Sequence, residues 1–306
     1  ISEHYKSSLD SIGNSVSAIG ISAMDPLGIG PATSTAIGLF GGTAFNKYYF
    51  EEMIKRLSKF NCPKIVGGTG AWQFKLFPEE IDRFGIDSIL IGDGEALAPN
   101  LFKKAIRGEK LPKMVVAPPY RLDSYNPTIK NPSFWGFVEL SRGCDRHCQF
   151  CDPAMRDYHW MPMDKILEEV HINTTKGGRS TVTLHSEDVF RYGCGRGEWV
   201  PNGKIIKLVT KLKKQPGVRD VLFTHGALAG PVANPKHIEE LCDVLNLLDG
   251  PSGVQVGIET GSPRLIEKYM RGKPKPFKPE QWQEVVTQAF GILNDNSWYP
   301  LATLIM

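Results

Sequence analysis

Short apolar runs alternate with amphipathic segments along the first 116 residues of the chain. Apolar residues three and four positions apart predict helices, whereas short uninterrupted apolar runs predict buried strands. The predicted strands are residues 17–22, 64–66 and 87–91, and the predicted helices are residues 45–60, 78–84 and 97–107. This alternation predicts an α/β fold with a Rossmann-like, doubly wound parallel sheet, in which ligands bind at the carboxyl ends of the strands.

The alternation resumes after residues 118–134, a proline-rich segment without periodicity that predicts a linker. The strands predicted beyond it are residues 137–142, 181–184, 220–224, 254–258 and 299–305. The predicted helices are residues 165–174, which Asp164 caps, and residues 204–214. This order predicts a partial TIM-type (β/α) barrel with its chemistry at the carboxyl ends of the strands.

The predicted domains are a Rossmann-like domain at residues 1–117, the linker at 118–134 and the partial barrel at 135–306. The chain begins at Ile1 and ends inside a predicted strand at Met306. We therefore expect both domains to continue beyond these ends.

With 41% hydrophobic and 23% charged residues, the chain has the composition of a globular protein. No apolar stretch approaches the roughly 18 residues that span a bilayer, so we expect no membrane partner. A net charge of +3 gives no reason to expect nucleic acid as a partner. In the helix predicted at 204–214, the lysines predict a solvated face, and the residues that predict a buried face are Ile205, Leu208, Val209 and Leu212.

Cys144, Cys148 and Cys151 form a C-x3-C-x2-C motif at the end of a predicted strand. Three thiolates at this spacing are typical of an iron–sulfur site, and they leave one iron of a four-iron cluster open to a small molecule. A zinc site would need a fourth ligand, such as His147 or His159. Disulfides are disfavoured because three neighbouring cysteines cannot all pair with one another.

The other three cysteines have simpler interpretations. Cys62 and Cys242 lie among apolar residues and are expected in the core, and Cys194 is expected to be an exposed loop thiol. Free thiols together with an oxygen-sensitive cluster indicate a reducing, cytoplasmic location.

Because the aromatic Phe150 precedes its last cysteine, the motif resembles the signature of the radical S-adenosylmethionine (radical SAM) family. The resemblance implies a [4Fe-4S] cluster on the three cysteines, SAM on the open iron, and a separate electron donor that starts the cleavage of SAM. It also implies that Glu187 and Asp188 lie near the SAM amino group and that Glu259, in the segment GIETGS, binds the ribose hydroxyls. Arg271 is expected either to pair with the SAM carboxylate or to lie on the surface.

Upstream, the segments Ile65-Val-Gly-Gly68 and Ile91-Gly-Asp-Gly-Glu95 resemble the cobalamin-binding domain of cobalamin-dependent radical SAM methyltransferases. The resemblance implies that glycine-rich turns receive the corrin, because absent side chains let a flat ligand approach the backbone. The candidate cobalamin-binding residues are Gly28, Gly30, Gly67, Gly68, Thr69, Gly70, Gly92, Gly94 and Glu95. The sequence has no D-x-H-x-x-G motif, so we expect no histidine of this domain to bind cobalt.

Together the resemblances imply an enzyme that moves a methyl group from SAM through methylcobalamin to an unactivated sp3 carbon. Asp152 is then expected to face the corrin, and His225 to border the substrate. The segment DPLGIGP at residues 25–31 resembles archaeal, methanogen members of the family, some of which modify a glutamine of methyl-coenzyme M reductase after translation. That protein is one candidate substrate, and a small molecule is the other.

Three alternatives stay open. A cobalamin-dependent radical SAM enzyme that rearranges a small metabolite would put no methyl label into its product. A tRNA methylthiotransferase shares the cysteine spacing but needs three further upstream cysteines for a second cluster, and only Cys62 is upstream. A non-catalytic iron–sulfur electron carrier would need neither a corrin nor the cleavage of SAM.

Overall fold

The structure, a computed structural model, describes residues 15–118, 127–151 and 158–305. The chain divides into two compact units, Ile1–Tyr120 and Arg121–Met306. The predicted linker at 118–134 falls at this division, and part of it lies outside the described residues. Among the described residues, no helix has both the length and the apolar character needed to cross a membrane.

The N-terminal unit contains a parallel sheet in which neighbouring strands follow one another in chain order. Its strands are β1 (Ile19–Ser22), β2 (Lys64–Gly67), β3 (Ser88–Ile91) and β4 (Met114–Val116). The first three were predicted to within two residues. The fourth was missed because a run of only three apolar residues carries little periodic signal.

Helices pack on both faces of this sheet, which confirms the α/β class of the N-terminal unit. They are α1 (Pro31–Phe40), α2 (Phe45–Leu57), α3 (Gln73–Leu76), α4 (Glu79–Arg83) and α5 (Ala98–Ile106). One face packs Ile21, Val66 and Ile89 against α2, α3 and α4. The opposite face packs Ile65 and Leu90 against α5. Neighbouring residues of one strand thus enter different apolar clusters, as the two-residue period of a strand requires.

Helix α1 was not predicted, and it differs from the other helices of this unit. It has no charged residue, and none of its side chains is buried. A helix with no separate polar and apolar faces has no 3.6-residue signal to recognise in the sequence.

The C-terminal unit contains parallel strands that also follow chain order. The strands of the unit are β5 (Phe137–Glu139), β6 (Ser141–Arg142), β7 (His159–Trp160), β8 (Thr181–His185), β9 (Asp220–Phe223), β10 (Ser252–Glu259) and β11 (Trp298–Leu304). One parallel sheet has the order β5-β8-β9, and a second pairs β10 with β11. A single parallel bridge between His225 and Gln255 connects the end of β9 to β10. The assignment of these strands to a partial barrel stays a prediction.

The strand predicted at residues 137–142 divides at Leu140. The Leu140 amide donates to the His185 carbonyl at 2.8 Å, and the Leu140 carbonyl accepts from the Met161 amide. Beyond Leu140 the chain leaves the parallel sheet, and β6 pairs antiparallel with β7. The cysteine motif therefore follows a short antiparallel strand, a partnership that the local sequence does not encode.

The helices of the C-terminal unit are α6 (Met163–Thr175), α7 (Lys204–Leu212), α8 (Ala229–Ala233), α9 (Pro235–Leu245), α10 (Pro263–Tyr269) and α11 (Trp282–Asp295). The predicted cap of α6 was wrong, because Pro162 is the N-cap and Asp164 lies in the first turn. The buried face of α7 is confirmed, since the side chains of Ile205, Leu208, Val209 and Leu212 are all fully buried.

Candidate active site

The cysteine loop, residues 144–151, follows β6 and begins after Gly143, whose φ is +70°. His147, in the middle of the loop, also has a left-handed backbone with φ of +53°, which is uncommon for a residue with a Cβ. The Cys151 amide donates to the Cys148 carbonyl at 3.1 Å, which closes a turn around the last two cysteines. The loop is therefore a tight structure with a defined backbone.

A buried ion pair fixes the start of this loop. Asp145 accepts from both terminal nitrogens of Arg191, at 2.8 and 3.2 Å, and from the Gly197 amide at 2.9 Å. The Arg191 guanidinium also lies 4.4 Å from the centre of the Trp199 ring. Burial by itself raises the pKa of Asp145, but the hydrogen bonds and the positive charge of Arg191 outweigh it, so that pKa lies below its ordinary value. Asp145 is thus held as a carboxylate.

Arg146 forms a second buried anchor. It donates to the Asp188 carboxylate at 3.0 Å, and its other terminal nitrogen donates to the carbonyls of Gly272, Lys273 and Lys275. The contact with the last segment is close, because a Cβ at Gly272 would lie only 2.1 Å from the Arg146 carbonyl oxygen. Arg146 therefore joins the cysteine loop to the chain after β8 and to the chain after α10.

The three cysteines line one cavity of about 250 Å³ in the C-terminal unit. The same cavity is lined by three other residues that the sequence singled out: Glu187, His225 and Glu259. It also includes Arg146 and Lys273, which sequence reasoning did not select. The carboxyl ends of β8, β9 and β10 thus place Glu187, His225 and Glu259 beside the three cysteines, although Glu259 lies 115 residues after Cys144 in the chain.

The chemistry of the three thiols fits a cluster better than a single metal ion. In the part of the chain that the structure describes, no three Cys, His, Asp or Glu side chains converge on one point, as a closed zinc site requires. A four-iron cluster binds each thiolate through a different iron, so its ligands surround a volume. Burial raises the pKa of the Cys144 thiol to about 11 and also raises that of Cys148. Iron would supply the positive charge that stabilises the thiolates.

Glu259 reaches the cavity because the strand that carries it is irregular. The register between β10 and β11 shifts between Gly257 and Glu259, and Glu259 has a φ of +63°. Bulges of this kind re-aim a side chain, and a left-handed non-glycine residue is a recognised feature of functional sites. A Cβ at Gly257 would lie 2.3 Å from the Glu259 carboxylate, so glycine there leaves the space for this side chain.

The Glu259 carboxylate has two partners inside the cavity. Thr303 donates to Oε1 at 3.2 Å, and the Lys273 ammonium lies 3.4 Å from the same oxygen. The side chains of Glu259 and Lys273 are only 12% and 13% exposed. The Glu259 carboxylate is thus a largely buried hydrogen-bond acceptor in the cavity that the cysteines line.

Two of the other predicted SAM-binding residues lie away from the cavity lining. Asp188 is 3% exposed, and its oxygens accept from Arg146 and from the Ala227 amide, so it supports the cysteine loop from outside the cavity. Arg271 is an exposed residue paired with Glu267 on the surface. Asp152 lies outside the described residues.

His225 is a half-buried residue of the cavity wall. Its ring lies 6.0 Å from that of His185, and its Nδ1 has no hydrogen-bond partner among the described residues. Burial lowers the pKa of His225, which favours the neutral imidazole. A role for His225 beside the substrate stays a prediction.

In the N-terminal unit, the glycines predicted to contact the corrin lie in the turns after β1, β2 and β3. A Cβ at Gly68 would lie 2.7 Å from backbone atoms of Ala23, and one at Gly70 would lie 2.3 Å from the Met24 carbonyl oxygen. A Cβ would also meet atoms of this chain within 4 Å at Gly28, Gly30, Gly67, Gly92 and Gly94. At Gly68 and Gly70, the absence of a side chain therefore lets the turns after β1 and β2 pack on one another. The contact of these glycines with a corrin stays a prediction.

The two other predicted residues of these turns differ in exposure. Thr69 is exposed, and Glu95 is half-buried. Asp25, which sequence reasoning did not select, is the main organiser of the first turn. Its carboxylate accepts from the amides of Ile29 and Gly30 and from Gln73.

The cysteines outside the motif are structural in this fold. Cys242 is buried, as predicted, and Cys62 packs at the edge of the larger apolar cluster. The prediction of an exposed Cys194 was wrong, because this side chain is 1% exposed and its thiol donates to the Val200 carbonyl. The glycines around it indicated a loop, but they could not show that the loop folds inward.

Comparison with known proteins agrees with this site. The family model of the radical SAM superfamily matches residues 138–295, more than half of the chain and the region that contains the cysteine loop and Glu259. The chain therefore belongs to the radical SAM superfamily. Membership implies a [4Fe-4S] cluster and SAM as its cofactors.

Among curated proteins, the chain is similar to methylthiotransferases. It is 27% identical over 159 residues to the tRNA-2-methylthio-N(6)-dimethylallyladenosine synthase of Hydrogenobaculum sp., covering 51% of this chain and 34% of that protein. The synthase of the same name from Sulfurihydrogenibium sp. is 25% identical over 71% of this chain and 49% of its own length. The ribosomal protein uS12 methylthiotransferase RimO of Dictyoglomus thermophilum is 29% identical over 41% of this chain and 29% of its own length.

The matched regions thus span half or less of these relatives. No solved structure matches the chain.

Proposed function

We propose that the C-terminal unit holds a [4Fe-4S] cluster through Cys144, Cys148 and Cys151 and binds SAM in the adjoining cavity. A cluster held by these three cysteines would supply the reductive cleavage of SAM, and with it the ability to remove hydrogen from an unactivated C–H bond. The observation that carries this proposal is the cavity that the three cysteines share with Glu187 and Glu259.

Within this proposal, Glu259 orients the ribose of SAM. Both of its described partners, Thr303 and Lys273, contact Oε1. Oε2 is then the atom that accepts hydrogen bonds from the ribose hydroxyls. Lys273, whose ammonium lies 3.4 Å from Oε1, keeps the carboxylate beside the cysteine loop.

Glu187 is the cavity-lining carboxylate on the β8 side and is proposed to accept from the SAM amino group. Arg146 and Asp188 position the loop, because their ion pair connects the residues around Cys144 to the chain after β8. His225 and Gln255 also line the cavity, and we propose that a substrate approaches this part of the wall.

We further propose that the product is a C-methylated sp3 carbon and that the N-terminal unit binds cobalamin. Cobalamin, when bound, would supply the methyl group to a substrate carbon radical. The motif resemblance at residues 65–68 and 91–95 supports this part, as does the position of both segments at carboxyl ends of a parallel sheet. The proposed substrates are a glutamine of methyl-coenzyme M reductase or a small molecule, and Asp152 is proposed to face the corrin.

A second candidate is methylthio transfer, which the similarity to methylthiotransferases favours. Insertion of sulfur with a second cluster would need further thiolate ligands. Upstream of the cysteine loop this sequence provides Cys62 alone, half-buried against an apolar cluster. We place C-methylation first on the motif resemblance of residues 65–68 and 91–95.

Anaerobic reconstitution with iron and sulfide, with and without cobalamin, tests these proposals. We expect about four irons per chain, loss of that iron in Cys144→Ala, Cys148→Ala and Cys151→Ala, and retention of it in the control Cys62→Ala. With SAM and a reductant, the protein should form 5′-deoxyadenosine. With cobalamin and substrate it should also form S-adenosylhomocysteine, in equal amount.

Each alternative predicts a different result. About eight irons per chain and loss of iron in Cys62→Ala would favour methylthio transfer. Formation of 5′-deoxyadenosine without transfer of label from methyl-labelled SAM would favour a rearrangement. A reducible cluster that never cleaves SAM would favour an electron carrier and would overturn the radical proposal.

A further inference from the structure

Phe134 and Trp135 form an exposed aromatic pair that the proposed active site does not use. Phe134 is 72% exposed and Trp135 is 64% exposed. The centres of their rings lie 4.6 Å apart and the ring planes are inclined by only 24°, so the two rings are stacked on the surface. Neighbouring exposed apolar side chains, unlike single ones, indicate an interaction site.

The backbone holds this pair in a defined position. Trp135 has a left-handed backbone with φ of +52°, and Gly136 follows it with φ of +68°. A left-handed residue with a Cβ persists only where its surroundings fix it, and such residues cluster at functional sites. A Cβ at Gly136 would lie 2.7 Å from the Thr181 carbonyl oxygen. On the other side, the Ser133 amide donates to the buried Asn173 side chain at 2.7 Å.

The pair lies at the opposite end of the strands from the cysteine cavity. Phe134–Gly136 directly precede β5, whose parallel neighbour is β8. Glu187, which lines the cavity, instead follows the carboxyl end of β8. Neither Phe134 nor Trp135 lines that cavity. A binding site on the aromatic pair is therefore separate from the proposed SAM site.

The two stretches of chain around the pair carry only positive charge. Residues 127–138 and 170–186 contain no aspartate or glutamate, and their basic residues are Lys130, Lys176 and Arg179. All three are exposed, and none has an ion-pair partner among the described residues. The net charge of +3 for the whole chain gave no indication of this local excess.

Contacts place these basic residues beside the aromatic turn. The Lys176 ammonium donates to the Lys130 carbonyl at 3.1 Å, just before the turn. A Cβ at Gly136 would lie 3.7 Å from the Arg179 Cβ. The end of α6 and the turn before β8 thus bring positive charge next to the rings. Phe134, Trp135 and the three basic residues are here called the aromatic–basic surface.

We propose that the aromatic–basic surface binds single-stranded nucleic acid. Unpaired bases stack on the exposed faces of Trp135 and Phe134, and the phosphates pair with the three basic residues. Aromatic rings flanked by cations are the combination by which proteins bind single strands without reading their sequence, because every base has a flat face.

The surroundings of the rings argue for this ligand over other partners. None of the valine, leucine or isoleucine side chains in residues 127–138 and 170–186 is exposed, so the apolar area is confined to aromatic rings. A stable protein interface or a membrane contact needs a broader apolar area. A second copy of this surface would bring like charges together, which opposes association.

The binding of a fluorescent single-stranded RNA of about 12 nucleotides to the full chain, measured by anisotropy, tests the stacking. Trp135→Ala should weaken binding at least about fivefold, because it removes one stacking ring. Trp135→Phe retains a ring and should keep most of the affinity. The matched control is Phe40→Ala, which removes an 85% exposed ring of α1 in the N-terminal unit and should bind like the parent.

Salt dependence tests the phosphate contacts. Lys176→Gln with Arg179→Gln should lower the slope of log affinity against log salt by about 1.4, since each phosphate neutralised on a single strand contributes about 0.7. Lys103→Gln with Lys104→Gln removes two exposed charges from α5 and should leave the slope unchanged. Unchanged thermal unfolding shows that the variants retain the fold.

Several outcomes would overturn the proposal. One is a parent protein that binds no RNA at about 100 µM, the weak end of non-specific binding. A second is equal binding of an RNA duplex of the same length, because paired bases cannot stack on a side chain. A third is equal affinity of Trp135→Ala and Phe40→Ala for the RNA. Binding of phosphatidylserine vesicles in place of RNA would instead make this surface a membrane site.

Discussion

The Arg146 guanidinium donates to the Asp188 carboxylate at 3.0 Å, and the side chains are only 5% and 4% exposed. Arg146 lies between two of the cysteines, and Asp188 follows β8. This ion pair therefore fixes the cysteine loop relative to the strand end from which Glu187 enters the cavity. Removal of one partner leaves a buried charge without compensation, which is far more costly than the loss of an exposed ion pair.

We expect Asp188→Asn to destabilise the C-terminal unit by about 3–5 kcal/mol and to accelerate loss of the cluster. The double variant with Arg146→Met should be less destabilised than the two single changes predict in sum. Urea unfolding of the cluster-free protein measures the free energy of unfolding of the single variants and of the double variant. The matched control is Glu267→Gln, which breaks the exposed pair with Arg271 and should cost less than about 1 kcal/mol. Equal costs for the buried and exposed pairs would show that Arg146 does not anchor the loop.

Gly272→Ala should disturb the cysteine loop through contact alone. Its Cβ would lie 2.1 Å from the Arg146 carbonyl oxygen, so one backbone must move, at a cost of about 1–3 kcal/mol. Gly291→Ala is the control, because a Cβ there meets no atom within 4 Å and the position lies inside α11. That change should stabilise the protein by about 0.5–1 kcal/mol. Thermal unfolding and iron content after reconstitution test the pair, and a neutral Gly272→Ala would contradict the packing argument.

Glu259→Gln should weaken the binding of SAM by roughly tenfold to hundredfold, because hydrogen bonds to a charged acceptor contribute about 1.5–3 kcal/mol. Equilibrium dialysis of the cluster-loaded protein measures this affinity. Glu240→Gln, an exposed residue of α9, is the control and should bind SAM like the parent. An unchanged affinity in Glu259→Gln, with normal iron content, would remove Glu259 from the proposed site.

His237 should make the C-terminal unit less stable in mild acid. Burial lowers the pKa of His237 to about 4, although the charge of Asp188 and a hydrogen bond with the Phe190 backbone oppose this shift. The unfolded chain, with a histidine pKa of about 6.5, binds the proton more readily than the folded chain does. Stability is therefore fully present above about pH 6.5 and falls progressively down to about pH 4, by on the order of 3 kcal/mol.

The comparison between the parent and His237→Leu isolates this contribution, because other groups titrate equally in both proteins. Urea unfolding at several pH values should show a steeper loss of stability in the parent as the pH falls from 7 to about 4. Identical pH dependence in the two proteins would mean that folding leaves the pKa of His237 unchanged, which would contradict the shift caused by burial.

Local sequence determined several parts of this protein. The spacing of the three cysteines places them on one short loop whatever the rest of the chain does. The apolar periodicity of α7 defines its buried face, since side-chain direction in a helix follows from position alone. The existence of the longer strands was likewise predictable, because each is an apolar run bounded by polar or glycine-rich turns.

Other features depend on which segments meet in space. The partners of Asp145 and Arg146 lie 46 and 42 residues further along the chain, so no local pattern identifies them. The sequence did contain one indication: Asp145 and Arg146 are adjacent charged residues between two cysteines. A loop that buries such residues must provide partners for their charges. The need for glycine in the N-terminal turns is likewise visible only in the tertiary structure, where neighbouring backbone lies too close for a side chain.

The chain's sequence thus determined the spacing of the three thiols and the class of chemistry, because that spacing is a covalent property. The tertiary structure decided which carboxylates face those thiols: it directed Glu259 into the cavity through a bulge and used Asp188 as an anchor. The physical reason is that the direction of a side chain at a strand end depends on register and on burial against distant residues, neither of which a local pattern contains.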